Sequence, residues 1–369
     1  MFNPKIPVNV SKLRQIAAKA NDNTINLTVG NPIDDFPIEL IPALSKLNEQ
    51  ALGYSKNQGS DLLRSLIGKH YGFLNEEVVV TNGAQGGLMC ALMALIDPEN
   101  GLVAIPNPGF LAYPTMVEML GGVPLYYNYQ KDKVGNFHLS VDYLKKQIPN
   151  NCRVVLINTP SNPTCHAFST EELVELSIWA EENNKFLLID EVYGELNYLE
   201  KYTPKNYSNP YVISVSSLSK SHSLAGSRLG WLLSPNKELI SKVTVVNQYF
   251  NTCASSLAQS IGVYLFDNSG LFEGIRDRYR TIYQNKLKMF FSAFDGIKTP
   301  SFAFYGFLKT PENFSHSSEE FVSFLLEKNN ILAVPGEYFG SEGKEYYRVS
   351  LAIEDEQVLK ASEVLAKYY

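Results

Sequence analysis

Short runs rich in Val, Ile and Leu alternate along the chain with stretches whose apolar residues recur at helical spacing. Seven runs read as strands: Val78 to Val80, Leu102 to Ile105, Val123 to Tyr127, Arg153 to Asn158, Lys185 to Asp190, Val212 to Ser216 and Leu229 to Leu233. Strands joined through helical crossovers predict an α/β fold, with a mostly parallel seven-stranded sheet flanked by helices. The longest apolar run, Gly87 to Ile96, is about half of what a bilayer crossing needs, so it reads as a buried helix. No internal repeat, low-complexity tract or block of like charge breaks the pattern.

Beyond the seventh strand the pattern becomes one long helix around Leu271 to Phe294, followed by strands near Ile331 to Val334 and Tyr346 to Leu351. This predicts a second, smaller α/β domain whose other half is the N-terminal stretch. The expected division is 41–285 for the large domain and 1–40 with 286–369 for the small one, leaving a cleft that can close.

Composition narrows the function without choosing it. The 369 residues are 45% hydrophobic, enough for a large core and more than one compact unit usually holds. A net charge of -6 without a basic stripe argues against nucleic acid as a partner. Cys90, Cys152, Cys165 and Cys253 lie far apart with no Cys-x-x-Cys pair, which suits reduced thiols and a cytoplasmic compartment rather than disulfides or a metal site. No membrane segment is expected.

The chemistry gathers where strands end, the edge at which open α/β sheets bind ligands. Thr81 to Gln85, Asn107 to Phe110, Asn158 to Thr164, Asp190 to Tyr193 and Ser217 to Lys220 each follow a predicted strand, so five loops can converge on one ligand. Lys220, with Ser217 before it, Arg228 after it and Asp190 thirty residues upstream, supplies the parts that hold pyridoxal 5'-phosphate. The amine can form a Schiff base, the hydroxyl and guanidinium can hold a phosphate, and the carboxylate can keep a pyridine nitrogen protonated.

In order along the chain, the motifs are Leu27 to Pro32, Gly53 and Tyr54, Thr81 to Gly86, Asn158 to Thr164, Asp190 to Tyr193, Ser217 to Lys220 with Gly226 to Gly230, and Tyr347 to Ser350. Together they resemble the fold-type I, class I/II pyridoxal-phosphate aminotransferases, over nearly the whole chain. The resemblance implies an aspartate-aminotransferase-like fold and a homodimer with shared active sites. It implies Lys220 as the Schiff-base lysine and proton carrier, Asp190 on the pyridine nitrogen, and Tyr193 and Asn162 as donors to the cofactor's phenolic oxygen. Phe110 would stack on the ring. Gly83, Ala84 and Gln85 would hold the phosphate at a helix N-terminus together with Ser217 and Arg228. Tyr54 would reach the phosphate of the neighbouring subunit. Arg348, with Asn162, Gly30 and Asn31, would grip the substrate α-carboxylate through a planar fork. Each of these residues also has a plainer role, as a cap, turn former, core ring or surface ion pair.

Two departures bear on substrate: Cys165 stands where Gly normally follows the Asn-Pro-Thr motif, and Phe302, before Ala303, Phe304 and Tyr305, stands where Gly is usual. His166 and His222 flank the motifs, but the family mechanism needs neither. The expected activity is transfer of an amino group between an L-amino acid and a 2-oxo acid by ping-pong kinetics. With no dedicated cation for a distal carboxylate and a neutral Gln85, a neutral or aromatic side chain is favoured over aspartate. Rival readings keep the cofactor and change the bond broken, as in lyases, decarboxylases and cyclising synthases of this fold. A narrower rival is a histidinol-phosphate aminotransferase, and a distant one is a non-catalytic ligand-sensing domain.

Overall fold

The computed structural model describes residues 7, 12–30, 32, 37–45, 53–97, 99–199, 208–314 and 317–369. Each expected run coincides with a strand to within two residues. Numbered in chain order after a short β1 (Ile25–Asn26), they are β2 (Val78–Asn82), β3 (Leu102–Asn107), β4 (Val123–Asn128), β5 (Val154–Asn158), β6 (Phe186–Asp190), β7 (Val212–Ser217) and β8 (Leu229–Leu233). They form one seven-stranded sheet in the order β2-β8-β7-β6-β5-β3-β4.

Away from the edge strand β4, where Val123 and Tyr126 are exposed, the runs are largely apolar because both sheet faces are covered. On β6, Leu188 packs into one core cluster with Val103, Ile213 and Leu232, while Leu187 and Ile189 point into another with Ala104, Val155 and Ile157. Helix α2 (Gly83–Leu95) covers the first face; its buried Leu88, Ala91 and Leu92 join that cluster.

One strand breaks the parallel rule, and the site depends on it. β8 runs antiparallel to both neighbours, pairing Leu229 with Asn82 and Gly230 with Ser217. Its first residues therefore arrive at the same edge where the other strands end, which brings Arg228 beside the start of α2 and the end of β7.

The remaining strands of the described residues form three small sheets, one of them a hairpin that pairs Gln130–Lys131 with Phe137–His138. β9 (Tyr305–Lys309), β12 (Tyr346–Ser350) and β11 (Val334–Pro335) pair antiparallel, whereas β10 (Ile331–Leu332) pairs parallel with β1. The Ser350 N–H donates to the Leu27 carbonyl at 2.8 Å, so residues separated by most of the chain share one layer. Helix α3 (Ser269–Phe291) runs continuously past two cores. Phe272, Ile275, Tyr279 and Tyr283 pack with Trp231 and Phe266, and Leu287, Phe290 and Phe291 pack with Leu27, Ile331 and Val349.

Candidate active site

A cavity of about 430 Å³ opens at this edge of the large sheet. Its wall includes Gly30, Ala84, Gln85, Phe110, Asn162, Asp190, Tyr193, Ser217, Lys220, Arg228 and Arg348. Two other expected residues are not part of it: Gly83 precedes the lining residue Ala84, and Tyr54 is 89% exposed on the surface of its own chain. Asn31 lies outside the described residues.

Lys220 follows β7 on a tight turn, and its Nζ donates to the Gly30 carbonyl. Burial, with Arg348 and Arg228 nearby, pushes its amine down to about 8; Asp190 opposes that shift. A buried amine crowded by guanidinium groups is a better nucleophile near neutral pH than a solvated one.

Asp190 ends β6, fully inside the wall. Its Oδ2 accepts from the Tyr113 hydroxyl at 2.7 Å and its Oδ1 from the Val192 N–H at 3.1 Å. Burial raises its carboxyl, and those two bonds hold the charged form against that pressure. Asn158 braces the neighbouring loop: its Nδ2 donates to the Asp190 carbonyl at 3.0 Å and its Oδ1 accepts from the Asn162 N–H at 2.8 Å.

The anion end of the cavity is shaped by backbone. Gly83 opens α2 at φ +72°, and a Cβ there would meet the Arg228 Nη2 at 2.5 Å. Only glycine lets the guanidinium lie against the helix N-terminus, where free N–H groups and the helix dipole favour negative charge. Arg228 itself sits at φ +55°, its Nη1 donating to the Ala225 carbonyl at 2.9 Å.

Opposite them, β12 delivers Arg348, which is 1% exposed. Its Nη1 donates to Asn162 Oδ1 at 3.1 Å and its Nη2 to the Thr28 carbonyl at 2.7 Å. Its guanidinium carbon lies 4.5 Å from the centre of the Tyr305 ring and 5.0 Å from that of Phe339. Nε is buried with no hydrogen-bond partner among the described residues. A buried guanidinium held chiefly by neutral groups, with a donor unused, is the chemistry of a site built for an anion. The donor set as a whole, an amine, a buried carboxylate, an arginine at a helix N-terminus and a second arginine across the cavity, fits pyridoxal phosphate with an amino acid beside it.

Several wall residues carried no signal in the sequence. Tyr113 lies one helical turn after Phe110 and was hidden among 22 tyrosines. Tyr305, whose hydroxyl lies 2.8 Å from that of Tyr193, comes three residues after the Phe302 departure. Leu13, Arg14 and Ala17 come from helix α1 (Lys12–Ala17), a segment that none of the motifs includes. Of the two departures only Cys165 falls on strained backbone, at φ +55°; at the other it is Ala303, after Phe302, that has φ +55°. His166 and His222 are outside the wall, the first half-buried and the second buried, where it holds Ser221 and the Phe272 carbonyl.

The site and sheet define an enzyme of the aminotransferase type. The aminotransferase class I and II family model matches residues 22–365. A probable aspartate aminotransferase of Methanocaldococcus jannaschii is 29% identical, covering 98% of this chain and 98% of its own. The putative aminotransferase YugH of Bacillus subtilis is 30% identical over 96% of this chain and 94% of its own. In structure, the aspartate aminotransferase from Thermus thermophilus with maleate superposes with a TM-score of 0.91 at 24% identity, covering both chains fully. The chain belongs to the aminotransferase class I and II family. It is an aminotransferase, from a family that generally uses pyridoxal phosphate. No helix among the described residues is long and apolar enough to cross a membrane.

Proposed function

We propose that this enzyme binds pyridoxal phosphate in the 430 Å³ cavity and moves an amino group between an L-amino acid and a 2-oxo acid in two half-reactions. The observation that carries this reading is the convergence of Lys220, Asp190, Arg228 and Arg348 on one cavity from four separate parts of the fold. When bound, the cofactor supplies a carbonyl carbon open to amines and a ring that withdraws electrons.

The chain's own groups do the rest. Ser217, Arg228 and the N–H groups of Gly83, Ala84 and Gln85 hold the phosphate, and Asp190 pairs with the ring nitrogen. Phe110 packs on the ring, and Tyr193 and Asn162 donate to its phenolic oxygen. Arg348, with Gly30 beside it, orients the substrate α-carboxylate. Lys220 Nζ takes the proton from the substrate α-carbon and returns it, a task suited to an amine held near 8.

We further propose a homodimer. Tyr54 is exposed, as are Tyr249 at 83% and Phe250 at 59%, and the Ser256 hydroxyl on the Gly53 carbonyl and the Asn57 amide on the Thr252 carbonyl tie the two segments together. Such a patch suits burial against a second copy, into which Tyr54 would extend. The two cores along α3 support a division near residue 285, with the smaller part (1–40 and 286–369) closing over substrate.

The side-chain wall of Leu13, Ala17 and Leu88 supports a neutral or aromatic substrate. A second reading follows Arg14 in the same wall, an exposed cation that suits a distal carboxylate. The name of the Methanocaldococcus jannaschii relative supports that reading. Purified enzyme given pools of amino acids and 2-oxo acids tests both: new amino acids identify the donor and acceptor, and release of carbon dioxide, ammonia or sulfide instead would reject transamination.

A further inference from the structure

We infer that Tyr305 is a positioning residue for Tyr193: its hydroxyl donates to the Tyr193 hydroxyl, so that Tyr193 spends its own proton on an anionic oxygen of the bound cofactor. This rests on pyridoxal phosphate occupying the cavity as proposed above.

The two hydroxyls are 2.8 Å apart and both rings are nearly inaccessible, Tyr193 at 4% and Tyr305 at 1%. Each hydroxyl has a single proton, so within the pair only one can donate to the other. The surroundings choose the direction. The Arg348 guanidinium lies over the Tyr305 ring, and a positive charge there makes Tyr305 the stronger donor. Tyr193 then accepts, and its remaining direction is the cavity that both residues line. A chain of donors polarises along its length, so the second hydroxyl strengthens the bond made by the first.

The fold also reserves space for this hydroxyl. A Cβ at Gly30 would run into the Tyr305 oxygen, and Gly30 is the residue whose carbonyl receives the Lys220 amine. The Tyr305 carbonyl accepts from the Cys165 thiol at 3.3 Å, and its ring meets Tyr193 edge-on at 5.6 Å. Tyr305 thus joins the arginine that grips substrate to the tyrosine that faces the cofactor.

The test is the pH midpoint of the visible band of the pyridoxal-phosphate-loaded protein, in Tyr305→Phe, Tyr193→Phe and the double variant. Phe keeps each ring, so packing under Arg348 is retained. Tyr305→Phe is expected to raise the midpoint by about half a pH unit or more, the scale of one neutral hydrogen bond. In the Tyr193→Phe background the same change is expected to move it no further, because Tyr305 acts through Tyr193. In activity, kcat falls while KM holds. A midpoint that moves in Tyr193→Phe but not in Tyr305→Phe, or shifts that simply add, overturns the inference alone. A wild-type protein that shows no pH-dependent visible band rejects the cofactor assignment and this inference with it.

Discussion

Arg348 Nη1 donates to Asn162 Oδ1 at 3.1 Å, a bond that ties β12 to the loop after β5 across the cavity. Replacing the fork by a point charge cannot keep this bond, the one to the Thr28 carbonyl and a substrate carboxylate together. Arg348→Lys is expected to lower kcat/KM by about 10- to 100-fold, the scale of one or two charge-assisted bonds. Most of the loss should appear in KM. Steady-state kinetics with saturating co-substrate checks this, and an unchanged KM would reject the carboxylate role.

Lys220 is held at about 8 by burial and by Arg348 and Arg228. Capture of pyridoxal phosphate by the apoprotein needs the neutral amine, so its rate should climb about tenfold per pH unit below 8 and level off above it. Stopped-flow absorbance measures this directly. The same depression is a stability statement. The folded value lies below the unfolded 10.5, so the stability linked to the neutral amine is present above 10.5 and lost as pH falls through 8. Lys220→Met apoprotein should therefore melt higher than wild type at pH 7, with the gain shrinking as pH rises from 8 towards 10.5.

Glu195 carries the opposite sign. Burial pushes its carboxyl up to about 7, and the Arg276 guanidinium, 3.5 Å away, only partly offsets this. The folded protein holds this proton more tightly than the unfolded chain. The associated stability is thus complete below the unfolded 4.5 and lost as pH rises through 7. Glu195→Gln should flatten the fall in Tm between pH 4.5 and 7. A parallel pair of Tm profiles would show that another group is responsible.

Gly83 combines φ +72° with a Cβ position occupied by the Arg228 guanidinium. Gly83→Ala should destabilise the protein by about 1 kcal/mol or more through backbone strain. Displacing Arg228 should also weaken pyridoxal phosphate binding by about tenfold. Thermal melts and cofactor titration separate the two effects, and Gly226→Ala, with open space at its Cβ, is the control.

Tyr113 gives Asp190 its shortest bond, at 2.7 Å. Tyr113→Phe should let burial lift the Asp190 carboxyl further, so the pH at which kcat falls on the acid side should move up by about half a unit or more. A pH–rate profile superimposable on wild type would show that the Val192 N–H alone suffices.

The seven strands and their order in sequence were legible because a strand buried on both faces must be a continuous apolar run, and Phe186 to Ile189 could hardly be anything else in water. Polar residues at strand ends marked the ligand edge for the same reason: that edge is where such a sheet stops needing apolar groups. Lys220, Asp190 and Arg228 were readable as chemistry since each sits in a distinctive local motif.

What local pattern could not carry was partnership across the chain. No periodicity announces that β8 turns antiparallel and so lays Arg228 against Gly83, that Tyr113 braces Asp190, or that Tyr305 meets Tyr193 and Arg348. Those relations come from crossover geometry and packing between segments up to hundreds of residues apart. A run of residues encodes its own burial and bonding needs, whereas the identity of the group that meets those needs is decided only when the whole chain closes on itself.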